Sequence, residues 1–167
     1  MKFFYAIILT LLAVACNGPQ NRMIKDIRQL EGNSSLATSD TLINMYVAFA
    51  DKFPDHEKAP SYLFKAASGS MRSRSDDRGV KLYERMGTQY KDDSLAPEAL
   101  ICAGIGYAGM RDPVNAKRLY DKFIQMFPTN PRIGEVRMWS ETAFMSEEEL
   151  QNRFLEKLRT MDSIIIE

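Results

Sequence analysis

The sequence predicts an all-α chain: about eight helices in four antiparallel pairs, stacked as a short α-solenoid. Three observations predict it. Apolar residues recur three, four and seven positions apart, which places them on one face of a helix. The pattern repeats, because Tyr46, Tyr83 and Tyr120 stand 37 residues apart. No alternating apolar–polar run competes as a strand; the closest is Ile164-Ile165-Ile166 at the C-terminal end.

Composition narrows the class. The chain has 167 residues, 45% hydrophobic and 26% charged, which suits one folded domain and is too apolar for disorder. Its 22 basic and 22 acidic residues cancel, which disfavours a nucleic-acid binder relying on a basic face. Two cysteines, Cys16 and Cys102, cannot build a disulfide framework.

The chain opens MKFFYAIILTLLAVAC. Lys2 precedes an apolar run over residues 3–15, shorter than the roughly 20 residues that a spanning helix needs, so the run reads as a signal segment. Small Ala13 and Ala15 then lead into Cys16. Here the chain resembles a bacterial lipoprotein precursor, with Leu12 one place earlier than in that family's usual motif. The resemblance implies cleavage after residue 15 and acylation of Cys16 by palmitate-like chains, with the protein held at the outer membrane and facing the periplasm. Ala13-Val14-Ala15 also fits ordinary secretion, and an uncleaved anchor is the third reading. Residues 16–22 read as the lipidated cysteine and a polar tether, 23–162 as the helical domain, and 163–167 as a tail.

Within the domain, Ile24, Ile27 and Leu30 mark a short helix closed by Gly32. Thr38 or Ser39 is positioned to cap a helix ending at Phe53, and Ser94 to cap one starting near Ala96-Pro97. Asp112-Pro113 sets an N-cap before a proline at the first helical position. Ser146 and Glu149 form a capping box ahead of Leu150, Phe154, Leu155 and Leu158, an amphipathic helix expected to cover the end of the stack. Each repeat pairs a large residue with a small one. Tyr120 is expected to fill the space opposite Ala103 and Gly104, so neither helix buries its stripe alone.

The repeat resembles the tetratricopeptide family. That pattern is W-x2-L-G-x2-Y, then A-x3-F, then P. Here Leu100, Ala103, Gly104 and Tyr107 are followed by Ala116, Tyr120 and Pro128, with flanking units in register but more degenerate. With the lipoprotein start, the chain is similar to two envelope groups: the repeat lipoprotein of the outer-membrane β-barrel assembly machine and the repeat protein coordinating Tol-Pal with the cell wall. The resemblance implies a right-handed superhelix and protein binding rather than catalysis. It implies that the first helix of each pair lines a concave wall. That register turns Phe64, Ser68, Met71 and Arg72 inward, then Glu98, Ile101, Ile105 and Ala108, then Glu135, Met138, Thr142 and Met145. Such a Met-containing strip suits an adaptable peptide or helix site; packing within the core is the rival reading.

Catalytic and metal signals are weak. His56 is the only histidine and reads as a loop residue, and Cys102 as a buried structural thiol. Asp76-Asp77 and Asp92-Asp93 are sequence neighbours, which read as helix-start and turn residues rather than a carboxylate pair. Arg72, Arg74 and Arg78 form a mixed-charge loop with an anionic partner as the alternative. The expectation is a scaffold that is not an enzyme and uses no cofactor, metal or nucleic acid. It binds peptide or helical segments of other envelope proteins. The alternative is an accessory glycan-binding lipoprotein, for which Trp139 is the sole tryptophan platform; self-association is a third possibility.

Overall fold

A chain with a 37-residue period should bury equivalent positions equivalently, and the row that starts at Tyr46 does so. The computed structural model describes residues 18–33, 39–73 and 76–165, with side chains as far as Arg159. Among these residues are eight helices and no strand: α1 (Pro19–Glu31), α2 (Asp40–Lys52), α3 (Ala59–Arg72), α4 (Asp76–Gln89), α5 (Ala96–Gly109), α6 (Pro113–Met126), α7 (Ile133–Thr142) and α8 (Glu147–Ile165). The chain divides into two compact units, Met1–Ala99 and Leu100–Glu167. In the first, successive helices from α1 to α4 pack on one another; in the second, α6 packs on α7. The segment read from sequence as a signal, and Cys16, lie outside the described residues. No described helix is long and apolar enough to cross a membrane.

Tyr46, Tyr83 and Tyr120 are all buried, and so are Phe49, Met86 and Phe123 three residues on. Each contributes roughly 1.5–3 kcal/mol of apolar burial. Phe49 meets Phe53 at 5.2 Å between ring centres, and Phe123 meets Phe127 at 5.6 Å, both tilted by 55°. The expected large-for-small exchange is present in the second unit. A Cβ on Gly104 would overlap Tyr120 Cε1 and lie 2.8 Å from its Cδ1. The α5 backbone can therefore touch the α6 tyrosine only because residue 104 has no side chain.

The linkers between helix pairs repeat as closely as the core. His56, Asp93 and Asn130 stand at the same point of the period. Each donates its own N–H to the carbonyl three residues back, on Phe53, Tyr90 and Phe127. Each side chain accepts the N–H two residues ahead: Lys58 N to His56 Nδ1 at 3.1 Å, Leu95 N to Asp93 Oδ1 at 2.8 Å, and Arg132 N to Asn130 Oδ1 at 2.9 Å. His56 is thus a third Asx-type turn residue in which an imidazole nitrogen replaces a carbonyl oxygen. Its ring edge also packs on Phe49, 5.1 Å between centres, so it is half-buried rather than a free loop histidine.

Most caps fall where expected. Ser39 Oγ accepts from Leu42 N at 3.3 Å, and Asp112 Oδ1 from Asn115 N at 3.0 Å with Pro113 next. The Ser146 capping box closes both ways: Glu149 N to Ser146 Oγ at 3.2 Å and Ser146 N to Glu149 Oε2 at 2.7 Å. Asp76 and Asp77 open α4, where acids suit the positive helix end. Arg72 ends α3 and Arg78 lies in the first turns of α4, bonded to Asn44 Oδ1 at 2.6 Å; Arg74 lies outside the described residues.

Two expectations, on the cap before α5 and the cover over the stack, are corrected, and two helices run past the bounds expected for the domain. Asp93, not Ser94, makes the side-chain bond before α5. Helix α1 begins at Pro19, inside the stretch read as tether: proline is tolerated at the first helical position, and the polar residues there lie on an exposed face. Helix α8 continues to Ile165, into the segment read as tail. Its apolar residues do not cover the stack either. Leu150, Phe154, Leu155 and Leu158 are 41–63% exposed, and Phe144 before them is exposed as well.

A charged cluster joins α1, α2 and α3. Glu31 Oε1 accepts from Tyr46 Oη at 2.7 Å and from Lys65 Nζ at 2.6 Å, while Lys65 lies over the Tyr46 and Tyr62 rings. Partial burial raises the Glu31 pKa, but the bonds from Lys65 and Tyr46 and the nearby positive charge outweigh it, leaving the carboxyl below its ordinary value of 4.5. Burial, then the bond to Glu31, pushes the Tyr46 phenol well above its usual range.

Two measurements check this account. Gly104→Ala gains about 1 kcal/mol of helix propensity but must displace an aromatic ring, at about 1–3 kcal/mol. A net fall in Tm of roughly 2–6 °C is expected. Gly69→Ala should be milder, since only the flexible Ile43 side chain stands in the way, at 3.0 Å. Glu31, with its lowered folded value, stabilises the fold above the ordinary glutamate pKa and loses that contribution as pH falls from about 4.5 through the folded value. The urea midpoint should therefore decline more steeply below that pH in the wild type than in Glu31→Gln.

Candidate functional site

The residues of the strip expected from the repeat register differ widely in exposure within each unit. In the first unit the strip is mostly packing. Phe64 meets the Tyr83 ring edge-on at 5.1 Å, and Met71 fills the space that a Cβ on Gly79 would need, so both join α3 to α4. Arg72 and Glu98 are exposed at helix ends.

In the second unit Ile101 is a core residue, 1% exposed, and leaves the strip. Helix α5 is apolar nearly all round, so a one-stripe reading assigns too few of its residues to the interior. Cys102 beside it is half-buried rather than buried. Ile105 is 47% exposed and Met138 52% exposed, unusual for such side chains in a fold that hides most others. Glu135 is exposed and holds Arg132 Nε at 2.8 Å; that bond and the arginine charge lower its pKa. Thr142 Oγ1 donates to the Met138 carbonyl at 2.8 Å.

Thr142 and Met145 line a cleft of about 460 Å³ with Ala108, Tyr120 and Trp139. Ile105 stands one turn before Ala108 on α5, on the same side of the helix. Tyr120 and Trp139 stack at 5.6 Å between centres, and Arg132 lies 5.6 Å over the indole. At the rim is Arg111, which the sequence reading missed. It is the only described non-glycine residue with a positive φ, 60°. It ends α5 in a Schellman turn: Asp112 N bonds to Tyr107 O at 2.9 Å and Arg111 N to Ala108 O at 3.0 Å. Glycine is the usual residue there, so an arginine held left-handed at a cleft rim is a functional flag. No periodicity exposes it, because the backbone angle is a product of the turn.

A second polar cluster was also invisible in sequence. Lys117 Nζ bonds to Asp121 Oδ2 at 2.7 Å and to Ser140 Oγ at 3.1 Å, and the Ser140 hydroxyl donates to Asp121 Oδ1. Burial raises the Asp121 pKa, but the Lys117 and Ser140 bonds bring it below the usual carboxylate range. Here the lysine is ion-paired and the serine hydrogen is committed to a carboxylate, so the trio ties α7 to α6 rather than activating a nucleophile. Among the described residues no group of three or more His, Cys, Asp or Glu could hold a metal ion. No family model, curated protein or solved structure matches the chain.

Replacing Arg111 by glycine should relieve the left-handed strain and stabilise the protein by about 1 kcal/mol, a rise in Tm of roughly 2–4 °C by calorimetry. An unchanged or lower Tm shows that the arginine side chain is holding the turn.

Proposed function

We propose that this chain is a lipid-anchored scaffold of the bacterial envelope, which docks peptide or helical segments of other envelope proteins on a short, right-handed tetratricopeptide-like stack. One observation carries the docking reading: the cleft of Tyr120, Trp139, Thr142 and Met145 opens beside exposed Ile105, under the rim cation Arg111. An apolar floor with a cation at its rim fits a hydrophobic segment bearing an acidic group. The anchor reading rests on the signal-like start and on Cys16; several acyl chains at about 0.8 kcal/mol per buried CH₂ make such an anchor stable. The glycan alternative is less well supported, since Trp139 is engaged by Tyr120 and Arg132 rather than offered as an open platform.

Two results test the proposal. Cys16→Ser should abolish palmitate labelling and move the protein from the membrane to the soluble fraction; retention of label ends the anchor reading. A photo-crosslinker at Thr142 in cells should capture other envelope proteins. Ile105→Glu with Ala108→Glu, both exposed positions, should abolish that capture while the circular dichroism stays helical. Capture that survives the double substitution ends the docking reading.

A further inference from the structure

A cleft of about 320 Å³ between α1 and the linker before α3 gathers positive charge. Lys25 and Arg28 stand on its α1 wall, three residues apart and so on one side of the helix. Lys58 and the His56 ring line it from the linker. Among the described residues Glu57 is the only acid that lines it, and its carboxylate, 82% exposed, reaches Lys58 Nζ only at 3.7 Å. Three cations against one loosely held acid leave two positive charges uncancelled. Lys58 is also the N-cap residue of α3, with no side-chain cap bond and no acid in the first turn, so the positive helix end adds to the field. His56 Nδ1 accepts from Lys58 N at 3.1 Å, which leaves the ring hydrogen on Nε2 as a further donor. Charges drawn together in this way repel, and packing does not require them, because Ile24 and Ile27 are the residues that bury α1.

We propose that this cleft binds the phosphate group of an anionic lipid headgroup. Two ammonium groups, a guanidinium and an imidazole N–H come from two elements. That set suits a tetrahedral oxyanion better than a planar carboxylate, whose match is a single arginine fork. The position in the chain selects lipid as the source. Pro19, the first residue of α1, follows Cys16 by three residues, which span at most about 11 Å. The headgroup layer of one leaflet is itself about 5–8 Å deep. A chain acylated at Cys16 therefore keeps α1 at the membrane surface, where basic pockets take headgroup phosphates. For that source the inference rests on the anchor reading; the chemistry of the cleft does not. A bound phosphate also sets which face of the first unit meets the membrane, which an acyl chain alone does not.

The test is NMR of the full, untagged chain in neutral detergent micelles, read at the ring of His56, its only histidine. Dihexanoyl phosphatidylglycerol should shift that ring saturably, and inorganic phosphate should compete with it. Dihexanoyl phosphatidylcholine, whose choline cancels the phosphate charge, should bind at least about tenfold more weakly. Lys25→Gln with Arg28→Gln, both exposed positions, should weaken phosphatidylglycerol binding at least about tenfold with unchanged helicity. Glu57→Gln removes the competing carboxylate and should tighten binding about two- to fivefold, a gain that misfolding cannot imitate. Equal binding of phosphatidylcholine, a tri-glutamate peptide that binds as tightly as the lipid, or an affinity indifferent to the Lys25 and Arg28 changes overturns the proposal. A response to inorganic phosphate with none to the lipid overturns the headgroup as the source. Palmitate labelling of Cys16 is read separately. A labelled chain that ignores the lipid ends this inference alone, and an unlabelled chain that binds it ends the anchor reading alone.

Discussion

Tyr120 lies in the space that the missing side chain of Gly104 leaves, and the second unit depends on that exchange. The ring packs directly on the α5 backbone, and Phe123 and Leu119 on the same helix are fully buried. Interiors packed to crystal-like density transmit a misfit of one methyl group, so the identity of residue 104 matters more than its apparent simplicity suggests. Gly79 plays a related part in the first unit, where it receives Met71.

The linkers show how one geometry is reached with different chemistry. An imidazole, a carboxylate and a carboxamide each accept the N–H two residues ahead, at His56, Asp93 and Asn130. What the turn requires is an acceptor one short side chain away from the backbone. The same requirement removes His56 from the list of chemically available groups. Ser140 and Asp121 are comparable: polar atoms taken up by fold-holding bonds, with Lys117 as the bridge.

Among the described residues, the large apolar side chains left exposed all lie in the second unit. Its last helices are shorter of apolar cover than those before them: α7 buries only Val136 and Ser140, and α8 keeps its leucines and Phe154 exposed. A repeat array needs a polar terminal face or a partner at its end. Here the end is apolar, and the cleft under Arg111 lies beside it.

The sequence by itself determined the helices, their period and most of the caps, because these rest on local spacing: Tyr46, Tyr83 and Tyr120 in step, Ser39, Asp112 and Ser146 each next to the amide it satisfies. The Gly104–Tyr120 contact was legible too, since a bulky and a tiny residue at matched points of the period have one sensible use. Only the tertiary structure decided which side of each helix faces water. It moved Ile101 into the core, made packing residues of Phe64 and Met71, and left α8 uncovered, because burial depends on how many neighbours a helix has, and periodicity records only one stripe. Arg111 and the Lys117–Asp121–Ser140 trio were beyond sequence reading for a like reason: a left-handed φ and a bond across 23 residues exist only once the chain has closed on itself.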